Sequence, residues 1–547
     1  MIPRRWGAGG AIPAQTHGLL RDGGGMASPL ANRSAVLERV VVDCSLGSDA
    51  FKARSFQYRE SLGQPFSGIL EAQSQNANID FGQLLGKPLT VATTLPGGGQ
   101  KHHSGLVRRV RQTGFEGTLA IYRLEIVPWI ACLELGSNCR IFQNKSVVEI
   151  LEQVFGDLGF TDYDLAGLVG NYDPIDFCVQ YNETHANFVH RLMQRFGIYY
   201  FHKHQAGRHT LLLCNSSSGH APVPGYARIR YQSAKQTALN EEHVFLWDSG
   251  EQMAPGKYTL KDHAFTNPKA ELLATRSASH GYPHGDLEKF DYPGGYATQA
   301  GGDALAVVRI EQAECGEKDC LGEAHCLGLS VGHTFTLEGH PRGDQNQSYL
   351  TEAIEFSITA DAPPEWQPGA KAAYTHRCRF RAIPASVQFR PERTAVAPRI
   401  DGLQTAVVVA PAGHDPNVPY TDAHASARVQ FRWDRAGTDD EKSSCWVRLS
   451  QPSAGSGWGS IFLPLAGNEV VVAFLDGDPD RPLIVGSVYN ADNKPPRDLP
   501  AHAVKTVIQD VAGNLIALDS TSTKESLSLR TPYKNLWTIL GEYSVGD

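Results

Sequence analysis

The feature that most restricts the fold of this chain is a series of short runs of β-branched and aromatic residues, separated by Gly, Asn or Pro. Examples are the runs Val40–Leu46, Pro65–Ser74 and Lys87–Gly99. Runs of this length between turn residues are typical of β-strands, and 54 Gly and 32 Pro disfavour long helices. The pattern predicts a mainly β protein, and 547 residues predict several domains rather than one core.

Three segments show helical spacing instead. In residues 145–160 apolar residues recur at intervals of three and four, and Gly159 stands where a helix C-cap is expected. In residues 182–204, Asn182 is the expected N-cap, and Gly197 is expected to end the helix before a strand. Residues 297–315 predict a third helix, followed by further strands.

Gly105–Trp129 is predicted to be two strands around a Thr113-Gly114 turn and a Glu116-Gly117 pair. Three of its four arginines, Arg108, Arg109 and Arg111, are the nearest approach to a basic patch in the chain. A solvated strand face is the expected role of this segment.

Changes in composition divide the chain into six segments. Residues 1–34 are Gly-rich and are expected to be a disordered extension, with Met26 as an alternative start. Residues 35–390 are expected to form strands interrupted by a few helices, and Pro-rich linkers at 391–398 and 491–503 flank a small closed barrel at 399–490. Residues 504–547 alternate apolar and polar residues and cannot bury a core alone, because a few open-edged strands need a partner.

Charge and cysteine content narrow the choice of partners. The net charge is −8, and the predicted barrel carries seven Lys and Arg against eleven Asp and Glu, a net of −4. Nucleic-acid binding is not expected, because phosphate affinity depends on positive charge. Ten cysteines without a signal peptide indicate reduced thiols, and no apolar run is long enough for a membrane anchor. Proteins are the expected partners.

One segment matches a catalytic motif. Gly328-Leu329-Ser330-Val331-Gly332 has the G-x-S-x-G form of a nucleophile elbow, which requires a strand before it and a helix after it. The residues that follow alternate like a strand, so Ser330 is not expected to act as a nucleophile.

Several groups carry metal-binding side chains, but none has the spacing of a known site. They are the turn with Asp476, Asp478 and Asp480, the pair His202 and His204 on one strand face, and the group Cys315, Cys320, His325 and Cys326. His185 and His190 are five residues apart and therefore do not share a helix face. We expect no catalytic residue, metal or cofactor, and the cysteine group leaves metal binding open.

Longer motifs carry a family resemblance. The runs DGLQTAVVVAPAG and RVQFRWDR, with the segment from KSSCWVRLSQ to PLIVGSVYN, resemble the small barrel of VgrG proteins, the spikes of type VI secretion systems. NETHANFVHRLMQRFGIYYFHKH, FDYPGGY and FTLEGHP are similar to signatures of the hub that precedes this barrel. The resemblance covers about residues 40–500.

The resemblance implies a homotrimer whose hub, at residues 35–390 with two barrel-like subdomains and helices, caps the tube of Hcp rings. An OB-like barrel and the start of a trimeric β-prism or β-helix needle would follow, with a PAAR-repeat tip protein and effector proteins or their adaptors as partners. It implies no catalytic residue. Such a spike assembles in the bacterial cytoplasm and is then injected into a target cell. The sequence departs from the family at Phe462-Leu463-Pro464-Leu465, which lacks the usual arginine. Only some 45 residues follow the linker after the barrel.

Three alternatives remain. A hub and spike of a contractile phage tail or an extracellular injection particle would have a similar fold. A serine hydrolase using Ser330 is a second alternative. A carbohydrate- or surface-binding β protein is the third.

Overall fold

The computed structural model describes residues 36–37, 40–233, 242–361 and 374–541. The predicted N-terminal extension, 1–34, lies outside the described residues. Within them the chain forms 32 strands, three α-helices and six short 3-10 helices.

The first sixteen strands are β1 (Val36–Leu37), β2 (Val40–Cys44), β3 (Lys52–Ser61), β4 (Gln64–Ser74), β5 (Pro88–Thr94), β6 (Gln100–Glu116), β7 (Leu119–Val127), β8 (Ser137–Lys145), β9 (Tyr163–Gly167), β10 (Ile175–Thr184), β11 (Tyr199–Gln205), β12 (Arg208–Cys214), β13 (Arg228–Tyr231), β14 (His243–Glu251), β15 (Lys257–Asp262) and β16 (Leu272–Ser277).

The others are β17 (Glu288–Asp291), β18 (Lys318–Ala324), β19 (Thr334–Glu338), β20 (Ser348–Ala360), β21 (Tyr374–Pro384), β22 (Gln404–Val409), β23 (Ser426–Phe431), β24 (Val447–Leu449), β25 (Ala454–Gly455), β26 (Trp458–Gly459), β27 (Glu469–Phe474), β28 (Pro482–Val488), β29 (Lys505–Gln509), β30 (Leu515–Asp519), β31 (Ser526–Thr531) and β32 (Leu536–Gly541). The α-helices are α1 (Val147–Asp157), α2 (His185–Phe196) and α3 (Gln299–Cys315).

The chain folds into two compact units, and the second takes two segments from the hub region of the sequence. Unit 1 comprises residues 1–136, 147–173 and 184–396, and unit 2 comprises residues 137–146, 174–183 and 397–547. Strands β8 and β10 therefore lie in unit 2, where Phe177 and Val179 join the apolar core of the barrel. The predicted segment boundaries stay predictions.

A sheet of thirteen strands dominates unit 1. Its order is β1-β21-β18-β14-β13-β19-β20-β3-β4-β7-β6-β5-β2, and a further pairing of β20 with β21 closes six of the strands into a ring. Two three-stranded sheets, β11-β12-β9 and β16-β15-β17, complete the unit. The core side is packed with buried aromatic residues such as Phe56, Phe335 and Phe356.

All three predicted helices are present. Helix α1 turns Ile150, Leu151 and Phe155 into the interior, and Gly159 follows it with a φ of 78°, as expected of a left-handed C-terminal residue. In α3, Leu305 and Ile310 pack on β15 and β16.

The predicted N-cap of α2 is wrong, although its C-cap is confirmed. Thr184 caps the helix, because its side-chain oxygen accepts the Asn187 N–H at 3.1 Å, whereas Asn182 lies two residues earlier in β10. Gly197 ends the helix with a φ of 71°, and a hairpin of β11 and β12 follows.

The arginine-bearing hairpin differs from its first predicted turn. Strand β6 continues through Thr113 and Gly114 to Glu116, and the chain reverses at Gly117, where φ is 60°. The pairing of β6 with β7 shifts in register between Gln112 and Gly114, so Thr113 is an extra residue in one strand. Glu116 pairs with Leu119, so the two-residue turn is Gly117-Thr118 and includes only the glycine of the predicted Glu116-Gly117 pair.

Unit 2 contains a closed five-stranded barrel, β22-β23-β24-β28-β27, as predicted. Its interior is filled by alternate residues of the strands, including Val408, Phe431 and Val472. The structure is therefore mainly β, with few helices and an OB-like barrel.

Candidate self-association surface

Strands β29 to β32 form a four-stranded antiparallel sheet after the barrel. Its turns are specified locally. At the first turn Asp510 accepts the Asn514 N–H at 2.7 Å, and Gly513 has a φ of 84°. At the last turn Lys534 and Asn535 both have positive φ, the conformation of a tight hairpin turn. The sheet was predicted as strands without a helix, which is confirmed.

The register of this sheet places six large aliphatic side chains on one face. These side chains form two rows that run across the strands. One row is Ile508, Ile516 and Leu529, and the other is Leu518, Leu527 and Leu540. We call this set the needle-base face. Each of the six side chains is between 36% and 64% exposed. Monomeric soluble proteins seldom expose contiguous apolar surface of this kind, so the face has the character of an interaction site.

The opposite face is more polar, although Leu515, Trp537 and Ile539 also lie on it. Ala517 is its buried residue, and Lys505 forms an ion pair with Asp519 at 3.2 Å. The two outer strands, β29 and β32, each pair with a single strand in the described part of the chain. Their outer edges therefore carry backbone groups open to pairing with another strand.

Covering the needle-base face would release substantial free energy. Full burial of a Leu or Ile side chain contributes about 1.5–3 kcal/mol, so six half-exposed side chains would contribute about 5–9 kcal/mol per copy. That amount is comparable to the net stability of a domain, about 5–15 kcal/mol. The surface is suited to association and contains no catalytic arrangement among the described residues.

The nucleophile-elbow motif does not form an elbow. Ser330 lies in an irregular stretch between β18 and β19, and its hydroxyl donates to the Gly328 carbonyl at 3.2 Å. The chain then enters strand β19 rather than a helix, so the hydroxyl is not held at a strand-to-helix turn.

The aspartate cluster forms a polar turn between β27 and β28. Asp478 accepts the Asp480 N–H at 3.0 Å, and Asp480 accepts the Val179 N–H at 2.7 Å. Asp476 has a positive φ of 56° and lies 3.6 Å from Arg481. Among the residues that the structure describes, no group of three or more His, Cys, Asp or Glu side chains could hold a metal ion, including the cysteine group.

His202 and His204 are buried in a hydrogen-bond network around Glu60. Tyr58 donates to one Glu60 oxygen at 2.8 Å, and the other oxygen lies 2.8 Å from His202 Nδ1 and accepts the His202 N–H at 3.1 Å. His204 Nε2 lies 2.8 Å from the Tyr58 oxygen, and its Nδ1 accepts the Ser104 N–H at 3.1 Å. Burial raises the pKa of Glu60. This network is structural.

Two further histidines belong to this cluster and were missed in the sequence. His209 accepts the Trp129 N–H at 2.9 Å, and the rings of His103 and His204 are 6.1 Å apart. Burial lowers the pKa of His202, His204 and His209 to about 3. One signal for Glu60 was available, because Glu60 follows Phe56 and Tyr58 on the apolar face of a strand with alternating residues.

Two family profiles match the chain. That of the phage tail baseplate hub (GPD) matches residues 59–362, and that of the type VI secretion system/phage-baseplate injector OB domain matches residues 406–489. The second match falls on the closed barrel.

Curated relatives are spike proteins. The type VI secretion system spike protein VgrG1a of Pseudomonas aeruginosa is 38% identical over 467 residues, which cover 85% of this chain and 72% of that protein. VgrG1b of the same organism is 37% identical, covering 85% and 62%. The actin cross-linking toxin VgrG1 of Vibrio cholerae is 31% identical over 500 residues, covering 88% and 45%. The chain thus spans 45–72% of the length of these relatives.

Solved structures share the fold at low identity. An E. coli component of the type VI secretion system, with structural similarity to the T4 bacteriophage tail proteins gp27 and gp5, has a TM-score of 0.59 at 19% identity and covers 82% of this chain and 99% of its own. A Francisella PdpA-VgrG complex has a TM-score of 0.57 at 9% identity, covering 93% and 87%. Because the hub and barrel profiles both match and the curated relatives are spike proteins, the chain belongs to the VgrG family of type VI secretion system spike proteins.

Proposed function

We propose that three copies of this chain assemble into the spike of a type VI secretion system. The hub region caps the Hcp tube, and the C-terminal sheets of the three copies form the base of a β-prism or β-helix needle. The spike punctures the envelope of a target cell and carries effector proteins, their adaptors or a PAAR-repeat tip.

The needle-base face is the observation that carries this proposal. One copy leaves six aliphatic side chains and two strand edges uncovered, and a closed ring of copies would cover all of them without a second protein. A threefold arrangement agrees with the family to which the chain belongs. The same edges could accept a tip protein by strand addition.

The proposed work is mechanical rather than enzymatic. The family to which the chain belongs consists of structural spike and hub proteins. The Vibrio cholerae relative is named as an actin cross-linking toxin, and this chain covers 45% of that protein. No reaction is proposed here for the chain.

The proposed route is assembly in the bacterial cytoplasm followed by export through the type VI apparatus. None of the helices in the described part of the chain has the length and apolar character needed to cross a bilayer. The proposed partners are the chain itself, the Hcp ring, a PAAR-repeat protein and effectors or their adaptors. A Francisella VgrG is part of a complex with PdpA, which supports a role in binding cargo.

A hub and spike of a contractile phage tail, or of an extracellular injection particle, is the second candidate. The hub profile is named for phage baseplates, and the barrel profile is named for both machines. The identity of the neighbouring tube and sheath genes separates the two candidates.

The solution mass of the purified full chain, measured by light scattering after size exclusion, tests the assembly. We expect a mass of about three times 59.6 kDa for the unaltered chain. The double variant Leu518→Asp, Leu529→Asp places two charges in the centre of the needle-base face, and we expect it to dissociate. Leu273→Asp is the matched control, because Leu273 is a similarly exposed leucine on a sheet of unit 1.

A trimer that is lost in the double variant and kept in the control supports both the trimer and its location. A trimer that survives the double variant would place the interface elsewhere. A monomer at every concentration, with correct folding by circular dichroism, would contradict the proposed function.

A further inference from the structure

The hairpin of β6 and β7 contains two interruptions in its pairing. The register shifts between Val107 and Arg109 and again between Gln112 and Gly114, while β7 continues without an extra residue. Such β-bulges bend a strand and change the direction in which its side chains point. Arg108 is the extra residue of the first bulge.

The bulges produce a cluster of exposed arginines. Adjacent residues of a regular strand point to opposite faces, yet Arg108 and Arg109 are both exposed. Arg111 is exposed two residues further along β6, on the same face as Arg109. Directly opposite Arg111, on β7, is Arg123, which is also exposed. We call these four residues the arginine face.

The charges of the arginine face are only partly balanced. Glu125 lies 3.9 Å from Arg109. Two further glutamates nearby, Glu71 and Glu116, lie 3.9 Å and 2.7 Å from a different arginine, Arg54.

Three members of the arginine face, Arg108, Arg111 and Arg123, have no ion pair within the part of the chain that the structure describes. Five arginines against three glutamates leave an excess of two positive charges in a chain whose net charge is −8. The excess is therefore local to this hairpin and the neighbouring strands β3 and β4, which carry Arg54 and Glu71.

The pairing of Arg111 with Arg123 is unfavourable for the chain alone. Like charges directly opposite each other in a sheet destabilise the strand pair. Nothing in the hairpin requires arginine at these positions, because both side chains are exposed. A partner that supplies carboxylates between the two guanidinium groups would turn this repulsion into attraction.

We propose that the arginine face is a docking surface for a carboxylate-rich surface of another protein. A guanidinium group matches a carboxylate with two parallel hydrogen bonds, which favours this pairing over a point charge. Arginine is enriched in protein interfaces.

A nucleic acid fits this surface less well. Glu71 lies directly opposite Arg123 on β4, and Glu125 lies directly opposite Arg109 on the hairpin, so a phosphate backbone crossing the face would meet negative charges. A protein surface of mixed charge can place its own cations there. The proposal is independent of the trimer and of the tube, because it concerns one hairpin of unit 1.

Binding of a fluorescent peptide of ten glutamates to the full chain, measured by anisotropy at rising salt, tests the proposal. We expect Arg111→Gln with Arg123→Gln to weaken binding at least tenfold and to flatten the salt dependence. The matched control is Arg228→Gln with Arg342→Gln, because these exposed arginines of unit 1 pair with Glu338 and Asp344, both at 2.9 Å. The control should bind as the unaltered chain does.

Folding is checked by thermal melting, where the double variant should unfold close to the unaltered chain, because the Arg111–Arg123 repulsion and the Arg123–Glu71 attraction are removed together. An equal loss in the control pair, no loss in the double variant, or no peptide binding by the unaltered chain would each overturn the proposal. A ten-base-pair DNA duplex that binds more tightly than the peptide through the same arginines would overturn it in favour of a nucleic-acid surface.

Discussion

Acidification should destabilise unit 1 through its buried histidines. His202, His204 and His209 have pKa values lowered by burial to about 3, against about 6.5 for an unfolded chain. A histidine whose folded pKa is lowered contributes its stability above the unfolded pKa, and this stability is lost as the pH falls below about 6.5. Unit 1 should therefore weaken steadily between pH 6.5 and pH 3.

The size of the effect follows from these values. Between pH 7 and pH 5 each of the three histidines costs about 2 kcal/mol, because the unfolded chain binds the proton and the folded chain does not. The sum is about 6 kcal/mol, a large part of the stability of a typical domain. Glu60 acts in the opposite direction, since its pKa is raised in the fold, and His103 acts in the same direction, since burial lowers its pKa, so the sum describes these three histidines alone.

Hydrogen exchange followed by mass spectrometry measures this loss of stability in peptides from β11 and β12 of the full chain. The exchange rates at pH 7 and pH 5 are first corrected for the intrinsic pH dependence of amide exchange. His209→Gln keeps an acceptor for the Trp129 N–H but cannot be protonated, so it should reduce the fall by about 2 kcal/mol. His263→Gln is the control, because His263 is exposed on the same unit. An equal fall in His209→Gln and the unaltered chain would refute the reasoning.

Three further predictions concern stability at neutral pH. Gly332→Ala should destabilise unit 1 by more than about 2 kcal/mol, since Gly332 has a φ of 75° and an added Cβ would lie 2.4 Å from the Phe201 ring. A melting temperature that differs from that of the unaltered chain by less than about 1 °C would contradict this prediction. Phe431→Ala should cost the barrel about 3–5 kcal/mol in denaturant unfolding, and a cost near zero would mean that the cavity collapses. Ser330→Ala should change stability by less than about 0.5 kcal/mol, because its hydroxyl bonds only the nearby Gly328 carbonyl; a larger loss would show a contact absent from the structure.

Much of the secondary structure was predictable because its signals are local. Gly159 and Gly197 were expected to end helices, and both adopt the positive φ that glycine tolerates best. The barrel strands were visible as short apolar runs, and the C-terminal strands as alternating ones. Errors arose where two nearby residues could serve the same local role. Asn182 and Thr184 are both suitable N-cap residues, and Thr184 caps α2.

The candidate site was predictable in kind but not in detail. Alternation in residues 504–547 indicated strands that need a partner, because an isolated sheet cannot cover its own apolar face. Which six side chains share that face depends on the register between strands, and a shift of one residue would have exposed the other set. The arginine face has the same origin, since Arg111 and Arg123 meet only through pairing across the hairpin.

The sequence by itself determined the class of fold, the C-terminal ends of α1 and α2, the barrel and the family, because these depend on residue spacing, backbone preference and long motifs. Tertiary structure alone decided that Glu60 lies among histidines of β6, β11 and β12, and that residues 137–146 and 174–183 belong to unit 2. The physical reason is the sequence distance over which each interaction acts. Propensities and turns act over a few residues, whereas burial, charge pairing and strand order arise between segments that are far apart in the chain.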